Sequence, residues 1–166
     1  MERLYRVTDL PRPIDEVFEF FSDATNLQRI TPDWFDLRIL TPLPIEMREG
    51  ALIDYKLKIQ GVPVRWRTRI AAWEPPHRFI DEQLKGPYTL WVHEHRFEPI
   101  PGGTRMYDEV KYLAAAGPLS AWITRAFAKP RVESLFDSRS VTMREIFGEY
   151  HAPNGHHPAA AGVRLG

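Results

Sequence analysis

The chain has no cysteine among its 166 residues, so it holds neither a disulfide nor a thiolate-bound metal. It has no surplus of charge. Its 22 basic side chains match 22 acidic ones, and nothing global draws it to nucleic acid or an anionic membrane. No apolar run approaches the about 20 residues of a membrane span, so no stable membrane insertion is expected. The opening residues, Met1 to Pro11, lack the apolar stretch of a secretory signal, and a cytoplasmic protein is the expectation. A glycine-rich phosphate loop, a nucleophile elbow and the His-Glu-x-x-His zinc signature are also missing. No motif therefore points to P-loop nucleotide, serine-hydrolase or zinc-protease chemistry.

What is present is a block of strand-length runs from Ala51 to Leu113. Ala51 to Gln60 alternates, with Ile53, Tyr55, Leu57 and Ile59 on one face. Val64 to Trp73 sets Trp66, Thr68, Ile70 and Ala72 against Arg65, Arg67 and Arg69. Arg78 to Lys85, Tyr88 to Phe97 and Thr104 to Tyr112 follow. The joints, Gly61 to Pro63, Glu74 to His77, Gly86-Pro87 and Glu98 to Gly103, are rich in turn residues and mostly short. They predict antiparallel neighbours in a meander.

Helices flank this block. Arg3 to Thr8 reads as a first strand, and Pro13 suits the first turn of a helix carrying Ile14, Val17, Phe18 and Phe21 on one stripe. Ser22-Asp23 caps a second short helix with Leu27 and Ile30 inward, ended by Thr31-Pro32. Trp34 and Phe35 follow, then a short strand from Leu37 to Leu40. After the sheet, Gly117-Pro118 opens a helix with Leu119, Trp122, Ile123, Ala126 and Phe127 on one stripe. Val132, Leu135, Phe136, Met143, Ile146 and Phe147 form a second stripe, and Pro130 between the two predicts a kink or break that makes the first segment a candidate lid. Residues 1–150 read as one domain, and 151–166, rich in Pro, Gly and Ala, as a disordered tail.

The order is strand, two helices, about six strands, long terminal helix. Leu10, Pro11, Pro13, Ile14, Val17 and Phe18 open it, followed by Phe21-Ser22-Asp23, Asn26-Leu27 and Ile30-Thr31-Pro32. Together with Trp73 to Phe79 and Phe97 to Thr104, they resemble the bacterial members of the helix-grip, or SRPBCC and START-like, superfamily over roughly residues 2 to 148. The resemblance implies an α+β fold in which a curved antiparallel sheet of six to seven strands wraps the C-terminal helix around a ligand cavity. It implies a small hydrophobic partner (a lipid, quinone or polyketide-like aromatic) or, alternatively, a cyclase/dehydratase-type enzyme without metal. The superfamily spans carriers, sensors and enzymes, so fold does not choose among them.

One strand carries the sharpest chemistry. Trp91, His93, His95 and Phe97 share a face, and rings with imidazoles suit a half-polar cavity. If that face is inward, Phe79 brings Asp81 and Gln83 with it, and Met106, Val110 and Tyr112 bring Asp108. A simple hairpin register sets Asp108 opposite His93, and a two-residue shift sets it opposite His95. Either keeps a His–Asp pair able to move a proton, so His93, His95 and Asp108 are the candidate catalytic residues. The alternative is that these polar groups only satisfy one another.

Expected ligand contacts on the sheet are Tyr55, Trp66, Thr68, Asp81, Gln83 and Trp91, with His93, His95, Met106 and Tyr112. Trp122 and Phe127 are the expected contacts from the helix. A metal on His93 and His95 with a carboxylate is the weaker reading, since His-x-His is short and common; no metal or cofactor is expected. The arginine stripe Arg65, Arg67, Arg69 reads as pairing with Asp54, Glu82 and Glu94, or as an interaction surface for an acidic partner or RNA. Oligomeric state has no signature in the sequence.

Overall fold

The computed structural model describes residues 1–114 and 127–153. Strand β1 (Glu2–Leu10) leads to helices α1 (Ile14–Ser22) and α2 (Ala24–Ile30) and a 3-10 turn at Asp33–Phe35. Strands β2 (Arg38–Ile39), β3 (Leu52–Ile59), β4 (Val62–Glu74), β5 (Arg78–Lys85), β6 (Leu90–Ile100) and β7 (Gly103–Leu113) follow, then helix α3 (Lys129–Phe147). They form one curved seven-stranded antiparallel sheet in the order β1-β7-β6-β5-β4-β3-β2. β3 to β7 form the expected meander, while β1 closes against β7 at one edge. The two helices carry the chain from that edge to the other. No described helix is long and apolar enough to cross a membrane.

Local chemistry explains these elements. The α1 stripe buries Val17 and Phe18 against Phe79, Phe97 and Met106 of the sheet. The Asp23 carboxylate accepts from the Thr25 backbone N–H at 2.8 Å and its hydroxyl at 2.7 Å, which starts α2 and stabilises it by about 1 kcal/mol. In α3, Val132, Phe136, Met143 and Phe147 are buried, the stripe the spacing predicts. Pro130 falls in the first turn of α3, where its missing N–H costs no helical bond.

Gly117, Pro118, Leu119, Trp122, Ile123 and Ala126 lie outside the described residues, so the expected first stripe and lid fall there too. Of the tail, 151–153 carry no helix or strand and the rest lies outside the described residues.

Two details of the meander differ from expectation. The β3–β4 turn is Gln60-Gly61, both at positive φ, so Val62 and Pro63 belong to the strand and pair with Ile59 and Lys58. Two left-handed residues twist a hairpin the way its strands twist. Further along β4 a register shift between Ile70 and Ala72 inserts a residue. Trp73, instead of Ala72, then turns inward and packs on Phe18 at 5.2 Å.

The arginine stripe is mostly paired across the sheet. Arg67 holds Asp54 through two bonds of 2.8 and 2.9 Å, and Arg69 holds Glu82. Glu94 pairs with Arg78 instead.

A candidate ligand cavity with a His–Asp quartet

Alternation along β6 places Trp91, His93, His95 and Phe97 inward, all under 9% exposed. On β7 the same parity buries Met106, Asp108, Val110 and Tyr112. The register is the shifted one: His95 opposes Asp108, and His93 opposes Val110 on β7 and Asp81 on β5. The imidazoles nevertheless share both carboxylates. His93 Nε2 lies 3.0 Å from Asp108 Oδ1, and His95 Nε2 lies 3.2 Å from Asp81 Oδ2. His95 Nδ1 is also 3.0 Å from Asp108 Oδ1, but off the line of a hydrogen bond, so that contact is electrostatic. His93 Nδ1 stands 3.6 Å from Asp81 Oδ2 and closes the ring of four.

The two imidazoles lie with centroids 3.7 Å apart, too close for both to carry charge comfortably. Burial, reinforced by the neighbouring His95, lowers the basicity of His93. Burial also opposes charge on His95, but Asp108 and Asp81 outweigh it and raise its pKa. Burial works against the charge on Asp108, yet the two imidazoles hold it well below the usual carboxylate range. Asp81 is lowered in the same way: burial opposes its charge, and His95 and His93 overcome that. The two shifts run in opposite directions, so His95 is the more readily protonated of the pair.

A cavity of about 180 Å³ opens beside this quartet, between the inner sheet face, α1, α2 and α3. Its apolar wall includes Ile53, Leu57, Ile70, Leu27 and Val132. Tyr55, Trp66, Thr68, Asp81, Trp91, His93 and His95 line it, as does Phe35. The Trp66 indole donates to Thr68 Oγ1 at 3.1 Å, and the Trp66 and Trp91 rings meet edge to face at 5.3 Å.

Other expected contacts do not border the cavity. Asp108 is buried behind the imidazoles. Met106 packs with Leu10, Val17 and Phe97, and Tyr112 with Leu4 and Val110, because parity sets the face but not the depth. Gln83 turns back on the β5–β6 turn, donating to the Tyr88 carbonyl at 2.6 Å. Phe127 is 51% exposed, and Trp122 lies outside the described residues.

Sequence reading missed one residue that matters. Arg139 occupies the buried stripe of α3, seven residues after Val132 and four before Met143, and it lines the cavity. A cation at an apolar stripe position was the available signal.

Asp81, His93 and His95 also present donor atoms within 4.8 Å of one another. Asp81 is already bonded to His95 Nε2, and the nearby Arg139 cation disfavours a second positive charge.

A seven-stranded sheet gripping a terminal helix around a half-polar cavity defines the helix-grip class of ligand-binding folds. The chain belongs to the polyketide cyclase / dehydrase and lipid transport family, which it matches over residues 10–138.

Solved structures share the fold. Protein CV1439 from Chromobacterium violaceum superposes with a TM-score of 0.69 at 13% identity, over 89% of this chain and 98% of that one. Ms6760 from Mycobacterium smegmatis gives 0.66 at 16% identity, over 87% and 89%. TTHA0849 from Thermus thermophilus gives 0.64 at 18% identity, over 87% and 99%. No curated protein matches the sequence.

Proposed function

We propose that the protein binds a small, largely apolar molecule, such as a lipid, quinone or polyketide-like aromatic, in the cavity between sheet and α3. The observation that carries this reading is the cavity itself: a largely apolar wall interrupted by polar side chains, the usual make-up of a small-molecule site. Its size limits the ligand. A void of about 150 Å³ holds one benzene ring, whereas drug-sized sites begin at about 300 Å³. At about 180 Å³ the cavity suits a single ring or a short chain, and a larger ligand requires Trp66 or Trp91 to move.

Mass spectrometry of the purified protein, native and then denatured with organic extraction, tests this. A stoichiometric apolar compound is expected. Trp91→Ala or Tyr55→Ala should weaken its binding. An empty protein that ignores a panel of lipids, quinones and aromatic ketones would sink the reading.

A second reading, a proton-transferring enzyme of the cyclase or dehydratase type, draws on the opposite pKa shifts of His93 and His95, both bordering the cavity. A neutral His93 that donates Nε2–H to Asp108 leaves Nδ1 unprotonated as a base, and a charged His95 supplies the acid. His93→Ala should then abolish turnover of a carbonyl substrate while ligand binding persists. Turnover retained in that variant would exclude His93 as the base.

A further inference from the structure

Arg139 and Tyr55 are two polar groups of the cavity that lie outside the quartet. The guanidinium of Arg139 makes no hydrogen bond or ion pair among the described residues, and its Nε is wholly enclosed. Burial lowers its pKa, and Asp108, Asp81 and Tyr55 offset this only in part. A second donor comes from β3. Tyr55 is 6% exposed, yet its hydroxyl has no partner among the described residues. Burial, and then the charge of Asp81, hold that phenol protonated. Both groups line the one cavity, Tyr55 from β3 and Arg139 from α3.

Guanidinium N–H groups only donate, and a protonated phenol offers a hydrogen. Two unsatisfied donors, one of them a full positive charge, therefore border one apolar cavity. Leaving the buried guanidinium Nε unpaired is costly, and an oxygen ligand held in the cavity would satisfy it. Asp81 and Asp108 do not serve, because the imidazoles occupy them.

We infer that Arg139 and Tyr55 form an anchor for a carboxylate, so that the cavity takes a small apolar acid with its charged end at α3 and its body against Trp66 and Trp91. The planar guanidinium matches a carboxylate in two parallel bonds, which a lysine would not reproduce. This inference rests on the proposed ligand-binding role and names the chemical class of the ligand. The acid end would lie beside the His93 and His95 rings, which border the same cavity.

The test uses benzoate and benzamide, which share a ring and differ in charge. Binding to the full chain is followed by calorimetry and by the fluorescence of the cavity tryptophans. The wild type should favour benzoate over benzamide by about tenfold or more, the effect of one charge-assisted bond. Arg139→Met should remove that preference while benzamide binding changes less than about twofold. Arg139→Lys should restore only part of it, and Tyr55→Phe should weaken benzoate by about three- to tenfold.

Equal binding of the two ligands by the wild type would overturn the anchor and leave the cavity reading standing. A preference that survives Arg139→Met would also overturn it. Binding of neither ligand would overturn both readings for single-ring compounds. The wild-type comparison needs no variant, so a misfolded Arg139→Met does not rescue the inference.

Discussion

Asp108 stands directly opposite His95 in the β6–β7 ladder, yet its hydrogen bond goes diagonally to His93, at 3.0 Å. Diagonal neighbours across a sheet are within reach of long side chains. The diagonal bond lets one carboxylate serve both imidazoles and leaves Asp81 to hold His95 from the other side. The quartet is therefore a single electrostatic unit, and removing one member changes the other three.

Asp108→Asn tests that unit. Taking the charge from one partner of a buried pair destabilises by about 3 kcal/mol. The folded pKa of Asp108 is depressed, so its stabilisation is present above the unfolded value of about 4 and is lost as pH falls below it. The histidines contribute with opposite sign near neutrality. The raised His95 loses stabilisation as pH rises above about 6.5, whereas the lowered His93 loses it as pH falls below that value. Urea unfolding should show a gap between wild type and Asp108→Asn that is wide at pH 7 and narrows progressively only as pH falls below about 4. A gap that holds its width would mean the charge of Asp108 stabilises nothing.

Arg139→Met should raise stability rather than lower it. Burial outweighs the attraction of the nearby carboxylates, as the lowered pKa of Arg139 records. An apolar side chain of similar length at this stripe position should add about 1 kcal/mol, readable as a higher Tm. A clear fall in Tm would show that Arg139 holds the quartet together instead of awaiting a ligand. The expected gain in stability with loss of acid binding is the trade-off typical of functional sites.

Gly103 has a steric role at the head of β7. A Cβ there would sit 2.1 Å from the Leu10 carbonyl oxygen, a backbone atom with nowhere to go. Gly103→Ala should destabilise by about 1–3 kcal/mol by prising β1 from β7. Trp34, 62% exposed, makes the control: Trp34→Ala should stay within about 0.5 kcal/mol of wild type. Equal effects in a thermal melt would refute the close-packing account.

The contrast between what the sequence disclosed and what it hid follows from period and depth. Alternation along β6 and β7 has a period of two, so the inward set Trp91, His93, His95, Phe97, Asp108 and Tyr112 was legible without coordinates. The register was not, because the turn after Ile100 decides whether Asp108 meets His93 or His95, and both choices keep the same faces. The inserted residue before Ala72 was equally hidden, since a bulge leaves no mark on composition, and it reverses Trp73. Met106 lies on the expected face but in the core next to Val17, away from the cavity. Arg139 escaped notice because the stripe of α3 is traced in sequence by its apolar members alone.

The anchor at Arg139 makes binding pH-dependent. Around it stand Tyr55 from β3, Asp81 from β5, His93 and His95 from β6, and Asp108 from β7. Tyr55 stays protonated and both carboxylates stay charged at neutral pH, so the histidines are the groups left to titrate. Asp108 and Asp81 raise the pKa of His95 and burial lowers that of His93, so His93 is the imidazole with more protonation left to gain. A bound carboxylate adds negative charge beside His93 and raises its pKa, so binding takes up a proton there. Benzoate affinity should therefore rise several-fold as pH falls from about 7.5 to about 5.5, a range in which benzoate itself remains ionised. Calorimetry in buffers of different ionisation enthalpy should register that uptake directly, and His93→Gln should abolish it. Affinity that is flat across the range, with no proton exchanged, would place the ligand's charge away from the quartet.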